Sequence, residues 1–234
     1  MNKFLIYPHL GLGDFIICNG LIREICKKNK SDEFEVVSKP THFQSVDFMF
    51  KDVKNLKTIS LKSGDFANPE NPEEIIFYAR NENKNILKIG HEFQDFRLNF
   101  DKSFYAQFEI DFKKRWDSFK VERDLTSEKN LVEKLNIKEK YIFVHEDPSR
   151  GMRIDRYIHR KDLRVIKAST DLSENMFDYL SLIEGAEEVH VIESAFMFMI
   201  DSFPIEGQLF NHRYARSYPA RNTPTLRLDW DILL

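Results

Sequence analysis

Residues 3–14, KFLIYPHLGLGD, limit the possible folds more than any other part of this chain. Phe4, Leu5, Ile6 and Tyr7 form an unbroken apolar run of strand-forming residues, the pattern of a strand buried on both faces of a parallel sheet. Pro8 ends the run, and Gly11 and Gly13 supply a turn in which backbone can approach a bound group closely. Asp14 stands at the expected N-cap of a helix, ahead of Phe15, Ile16, Ile17, Leu21, Ile22 and Ile25 at near-helical spacing. Strand, glycine turn and helix start together offer an anion free N–H groups and the positive end of a helix. The G-x-G-D spacing is neither G-x-G-x-x-G nor a P-loop, so the common nucleotide fingerprints do not apply.

The alternation continues. Residues 34–37 predict a second strand, Thr41 caps a short helix to Phe50, and 56–61 predict a third strand, as in a doubly wound parallel sheet. Residues 64–72 read as a loop, and 73–78 and 86–89 are expected to return to the sheet. Residues 103–119 read as one helix, with Phe104, Phe108, Phe112, Trp116 and Phe119 as a core stripe and Lys113, Lys114 and Arg115 as solvated charge. Ser127 opens the next helix. Residues 141–144, YIFV, then repeat the N-terminal event of an apolar strand running into a polar loop, which sets an expected domain boundary near 122. Beyond it, 163–166 and 189–192 read as strands, 208–214 and 225–228 as short terminal strands. Helices are expected from Ser173 or Glu174 to Gly185 and over 195–203.

Charge and cysteine usage narrow the function classes. A net charge of −3 with 31% charged residues points to no nucleic-acid partner and no anionic membrane. Cys18 and Cys26, eight residues apart on one helix, would lie about 12 Å apart along its axis, too far for a disulfide. A reducing cytoplasm is the expected compartment. Residues 4–7 are too short for a signal-peptide core, and no transmembrane segment is expected. The 21 phenylalanines suit an aromatic core or an aromatic binding surface.

Three strand ends carry the polar residues that a site needs: 9–14, 145–151 and 193–194. Ligands of open α/β sheets sit outside the carboxyl ends of the strands, so these are the candidate site. The segment HLGLGDFIICNGLIREI resembles the N-terminal segment of GT-B glycosyltransferases of the ADP-heptose heptosyltransferase type, and VHVIESAF is similar to that family's strand ending in D-T-G. FVHEDPSRG is more loosely similar to the strand–His–x–Arg loops of GT-B-like fucosyltransferases. The chain departs from the pattern at Ala195, where the family has glycine, and at Phe198, where it usually has histidine.

The resemblance implies a compact α/β chain of two Rossmann-like domains facing a cleft, 1–122 on the acceptor side and 123–234 on the nucleotide-sugar donor side. It implies transfer of a sugar from a nucleotide-sugar co-substrate to a saccharide or glycolipid acceptor, with inversion, Asp14 being the catalytic base. Gly11 and Gly13 allow close approach, Glu193 and Ser194 match the acid–hydroxyl pair at the donor, and His9 lines the acceptor side. His145, Arg150 and Arg153 join the donor and phosphate set, in keeping with metal-free stabilisation of a departing diphosphate. No D-x-D at a strand end and no His/Cys cluster is present, so no metal and no cofactor are expected.

Plainer readings stand beside these. Asp14 as a cap alone would contribute about 1 kcal/mol. His145 suits a hydrogen-bonded strand end, Glu193 and Ser194 a helix start, and Arg153, Arg156, Arg160, Lys161, Arg164 and Lys167 a mostly solvated face. His212, Arg213 and Arg216 suit surface charge or the phosphate site. A nucleotide-sugar epimerase and a non-catalytic binding protein of the same fold are the alternatives to the transferase.

Overall fold

The computed structural model describes residues 1–9, 11–60, 73–91, 98–154, 158–215 and 224–234. The loop expected at 64–72, Arg156 and Arg216 lie outside them. The chain divides into two units, Met1–Glu122 with Arg221–Thr225 and Arg123–Ala220 with Leu226–Leu234.

The first unit holds a parallel sheet of β1 (Lys3–Pro8), β2 (Glu33–Ser38), β3 (Leu56–Ser60) and β4 (Asn85–Ile89), in the order β3-β2-β1-β4. Leu5, Ile6 and Tyr7 are buried as a two-sided strand requires. Its helices are α1 (Leu12–Ile17), α2 (Asn19–Lys28), α3 (Phe43–Phe50), α4 (Glu73–Asn81), α5 (Phe100–Ala106) and α6 (Lys114–Asp117). The second unit holds β5 (Tyr141–His145), β6 (Arg164–Lys167), β7 (Glu188–Val191), β8 (Gln208–His212) and β9 (Asp231–Leu233), all parallel in the order β6-β5-β7-β8-β9. Its helices are α7 (Leu125–Lys134), α8 (Leu180–Glu184) and α9 (Ala195–Ser202).

Several local expectations are overturned, each for a physical reason. The helix after β1 starts at Leu12 with Gly11 as N-cap, so Asp14 is not the cap but sits in the first turn. That helix is also not continuous. The Tyr105 hydroxyl enters its ladder, donating to the Ile17 carbonyl (2.8 Å) and accepting from the Leu21 N–H (3.2 Å), in place of their mutual bond. Residues 73–78 form the start of α4 and not a strand. Ile75 and Ala79, four apart, are buried while Phe77 is 69% exposed, a helical period with glutamates at the start and Arg80 at the end.

The expected long helix 103–119 is broken into α5 and α6. Glu109 takes φ +52°, and the Ile110 N–H reaches back to the Tyr105 carbonyl. The break turns Arg115 inward, so it is not solvated: it is 1% exposed and pairs at 2.7 Å with Asp101, itself fully buried. Both bond Thr225, Arg115 Nη1 donating to its carbonyl and Asp101 Oδ2 accepting from its N–H. The guanidinium lies 4.9 Å from the Trp116 ring.

Elsewhere Asp124, not Ser127, caps α7 by accepting from Thr126 and Ser127 N–H groups. Residues 40–42 form a 3-10 turn before α3, so Thr41 caps nothing. Residues 225–228 form no strand because the N–H groups of Arg227 and Leu228 are both given to buried Asp201, which also accepts from Trp230 Nε1.

Asp101→Asn should cost the first unit about 3–5 kcal/mol, because it leaves the buried Arg115 charge without its partner. Urea unfolding followed by circular dichroism measures this. A loss below about 1 kcal/mol, the range of an exposed pair, would mean that this pair does not hold α5 to α6.

Candidate functional site

Strand order in each sheet reverses direction once, between β1 and β4 in the first and between β5 and β7 in the second. At such a switch point the connecting loops diverge and leave a crevice at the strands' carboxyl ends. Each unit carries a candidate cluster there.

In the first unit, β1 leads through His9 and Gly11 into α1, and β4 leads into Gly90 and His91. Gly11 has an ordinary φ of −74°, so its glycine is not needed for turn conformation. A Cβ there would stand 2.7 Å from Asp14 Oδ2, and the missing side chain is what lets the carboxylate fold back against the turn. Gly13 lies within α1. Asp14 is half-buried, as is His9. His91 stacks on Tyr7 at 4.3 Å, lies 4.8 Å from the His9 ring and donates from Nε2 to the Pro8 carbonyl at 3.2 Å. Gly90 does require glycine, since φ is +82° and a Cβ would meet Phe104 at 2.5 Å and His9 at 2.9 Å. Burial pushes the Cys18 thiol well above its ordinary value. Asp14 and Asp101 add to the rise and Arg115 opposes it, so this buried residue is an inert thiol within the field of the candidate base.

In the second unit, β5 ends at His145 and β7 leads into Glu193 and Ser194. The structure brings two of these together: Ser194 Oγ and His145 Nδ1 are joined at 3.1 Å, and the His145 ring stacks on Phe196 at 4.2 Å. Burial lowers the His145 pKa to about 4, with Asp147 opposing the fall and Arg150 adding to it. Among the described residues no carboxylate bonds its other ring nitrogen, so the pair lacks the acid that orients a serine nucleophile's base. Ser194 is the N-cap of α9 without a side-chain cap bond, which leaves its hydroxyl to His145. Glu193, 4% exposed, has Arg213 Nε at 3.7 Å.

The loop after β5 is built on its own acids. Glu146 accepts from Ile154 N–H and from Lys167 Nζ, and Asp147 accepts from Ser149 Oγ, Arg150 N–H and Arg150 Nε. The Ser149 hydrogen bond, with help from Arg150 and against partial burial, keeps the Asp147 carboxyl below its usual value. Arg150 is therefore exposed and tied to Asp147, and Arg153 is exposed. Of the basic residues expected there, Arg213 reaches Glu193 while His212 is fully buried. Among the described residues no group of three His, Cys, Asp or Glu is arranged to hold a metal ion, and no helix is long and apolar enough to cross a membrane.

Each unit is a parallel α/β sheet of the Rossmann-like kind, and the fold is GT-B-like, as in solved glycosyltransferases. The solved structures it resembles are of that kind. The chain is similar to ADP-heptose lps heptosyltransferase II of E. coli at 9% identity and TM-score 0.56, covering 100% of this chain and 90% of that one. A glycosyl transferase family 9 protein of Veillonella parvula matches at 9% identity and TM-score 0.61, with 99% and 86% covered. The iron-containing dodecameric glycosyltransferase TibC of enterotoxigenic E. coli matches at 10% identity and TM-score 0.51, over 90% of this chain and 58% of its own. No protein-family model and no curated protein sequence matches. At these identities the likeness establishes the fold. His91, Tyr105 and Arg213 belong to the surroundings of the two clusters, and only Arg213 was a sequence candidate.

His145 and His212 both have pKa values near 4, burial being the main cause in each. Their folded values lie below the ordinary 6.5, so the stability they contribute is complete above pH 6.5. It is lost as pH falls toward 4, at up to about 1.4 kcal/mol per pH unit for each ring. Proton NMR of the ring signals should show both neutral at pH 6. A ring titrating near 6.5 would contradict its burial.

Proposed function

We propose that this protein is a metal-independent glycosyltransferase that moves a sugar from a nucleotide-sugar donor to the hydroxyl of a saccharide or glycolipid acceptor. The carrying observation is that each unit sets its polar cluster at the switch point of its own sheet, on a fold shared with glycosyltransferases. Transfer requires a base for the acceptor hydroxyl and a grip on the departing diphosphate.

In this reading the first unit supplies the base. Asp14 sits at the carboxyl end of β1 in the first turn of α1, held against Gly11, with His9 and His91 beside it to line the acceptor. The second unit supplies the grip. The N-terminal N–H groups of α9, Ser194 and the Glu193–Arg213 pair lie after β7, and His145, Arg150 and Arg153 lie at the end of β5. A neutral His145 donates to or accepts from a phosphate or ribose oxygen without contributing charge. Attack of the acceptor oxygen opposite the leaving diphosphate inverts the anomeric centre.

Asp14→Asn should keep the fold and nucleotide affinity while lowering turnover at least about 100-fold, as loss of a general base does. Turnover close to the parent's removes Asp14 from the reaction. For the donor, a thermal-shift panel of ADP, UDP, GDP and CMP should give one clear winner, about 2.7 kcal/mol of stabilisation at a hundred times Kd. No shift with any of them argues for a protein that has kept the fold without the chemistry.

A further inference from the structure

One face of the second sheet carries a polar chain that the transferase reading does not use. Glu188 and His190 of β7 share that face with Phe210 and His212 of β8, by the register that pairs His190 with Phe210. His190 Nε2 lies 3.0 Å from Glu188 Oε2, and a carboxylate oxygen can only accept, so Nε2 carries the proton. Neutral His190 then accepts at Nδ1 from His212 Nε2 at 2.8 Å, and His212 Nδ1 accepts from the Tyr214 hydroxyl at 2.8 Å. Every donor in the chain points toward Glu188. The chain is buried, with Glu188 8%, His190 4% and His212 0% exposed.

Among the described residues Glu188 Oε1 accepts no hydrogen bond and is held only by a longer ion pair. Among the described residues its nearest cation is Arg160, whose Nη1 is 3.7 Å away, beyond hydrogen-bond distance. Arg160 spends Nε and Nη2 on Asp162. Beside these groups opens a cavity of about 610 Å³, lined by Glu188, Arg160, His159, Phe210, Tyr214 and residues 232–234. That volume lies in the range of small-molecule sites. Arg160 divides its charge between Asp162 and Glu188, so the Glu188 carboxylate is only partly compensated, and the cavity it lines also presents two aromatic rings and the aliphatic residues Ile232, Leu233 and Leu234. Phe210 is fixed by stacking on His190 at 4.5 Å. Glu188 opens β7 at its amino end, whereas His145 and Ser194 lie at the carboxyl ends, so this is a separate place on the sheet.

We infer that this cavity is a second binding site, for a small primary amine with an apolar body. The ammonium donates to Glu188 Oε1 and lies against the aromatic faces, and the body fills the space beside Ile232 and Leu233. An anion could reach Arg160 only beside the Glu188 carboxylate, and a purely apolar molecule would bury Oε1 without a hydrogen-bond donor.

The test uses the full chain with 2-phenylethylamine and its neutral counterpart 2-phenylethanol, each titrated at pH 7 by calorimetry and by NMR of the His190 and His212 rings. The amine should bind at least roughly tenfold more tightly than the alcohol. Glu188→Gln, which can still accept from His190, should erase that preference, and Ile232→Trp should weaken both ligands by filling the cavity. Asp14→Asn should bind the amine as the parent does, which separates this site from the transferase reading. Equal binding of amine and alcohol, an unchanged preference in Glu188→Gln, or no saturable binding to the parent overturns the proposal. If Glu188→Gln fails to fold, the parent's amine-to-alcohol ratio together with Ile232→Trp decides it.

Discussion

Parallel strand pairing is the constraint from which the rest of this structure follows. Every pairing between named strands in both sheets is parallel. The chain must therefore return to the same starting edge after each strand, and all carboxyl ends collect at the other. Residues remote in sequence meet there without any special device. His145 and Ser194, 49 positions apart, are joined because β5 and β7 are neighbours that end level, His145 pairing with Val191. His9 and His91 meet in the same way at the ends of β1 and β4.

That constraint is also what made the fold readable. A two-sided buried strand must be apolar at every position, so 4–7 and 141–144 announce themselves in the sequence, and the doubly wound alternation follows. The misreadings fall where side chains serve both periods. EEIIFYARN has enough apolar residues for a strand, and only the burial of Ile75 and Ala79 with Phe77 exposed shows the helix. The stripe from Phe104 to Phe119 is periodic on paper, but the left-handed Glu109 resets the phase, so Arg115 and not Phe112 takes the innermost place.

The candidate site was legible in its residues more than in its geometry. Strand-end position singled out His9, Asp14, His145, Glu193 and Ser194; His9, His145, Glu193 and Ser194 lie at or just past a strand's carboxyl end, and Asp14 lies in the first turn of the helix that follows β1. What each touches was not legible, because contacts come from other segments. Arg150 turns to its own loop's Asp147, while Arg213 reaches Glu193 from the end of β8. The relay from Tyr214 to Glu188 was invisible for the same reason. A histidine on each of two strands carries no signal until register sets them side by side.

The Tyr105 hydroxyl in the gap between α1 and α2 has a consequence for how the chain acquires its structure. Ile17 and Leu21, both fully buried, rely for one backbone bond each on a residue more than 80 positions downstream. The segment that carries Asp14 thus cannot complete itself from local interactions, and its bent form waits on a contact of long sequence separation. Such contacts form late, because closing the intervening loop costs chain entropy before anything is gained. The acid turn holds its final shape only with the tyrosine in place to splice it.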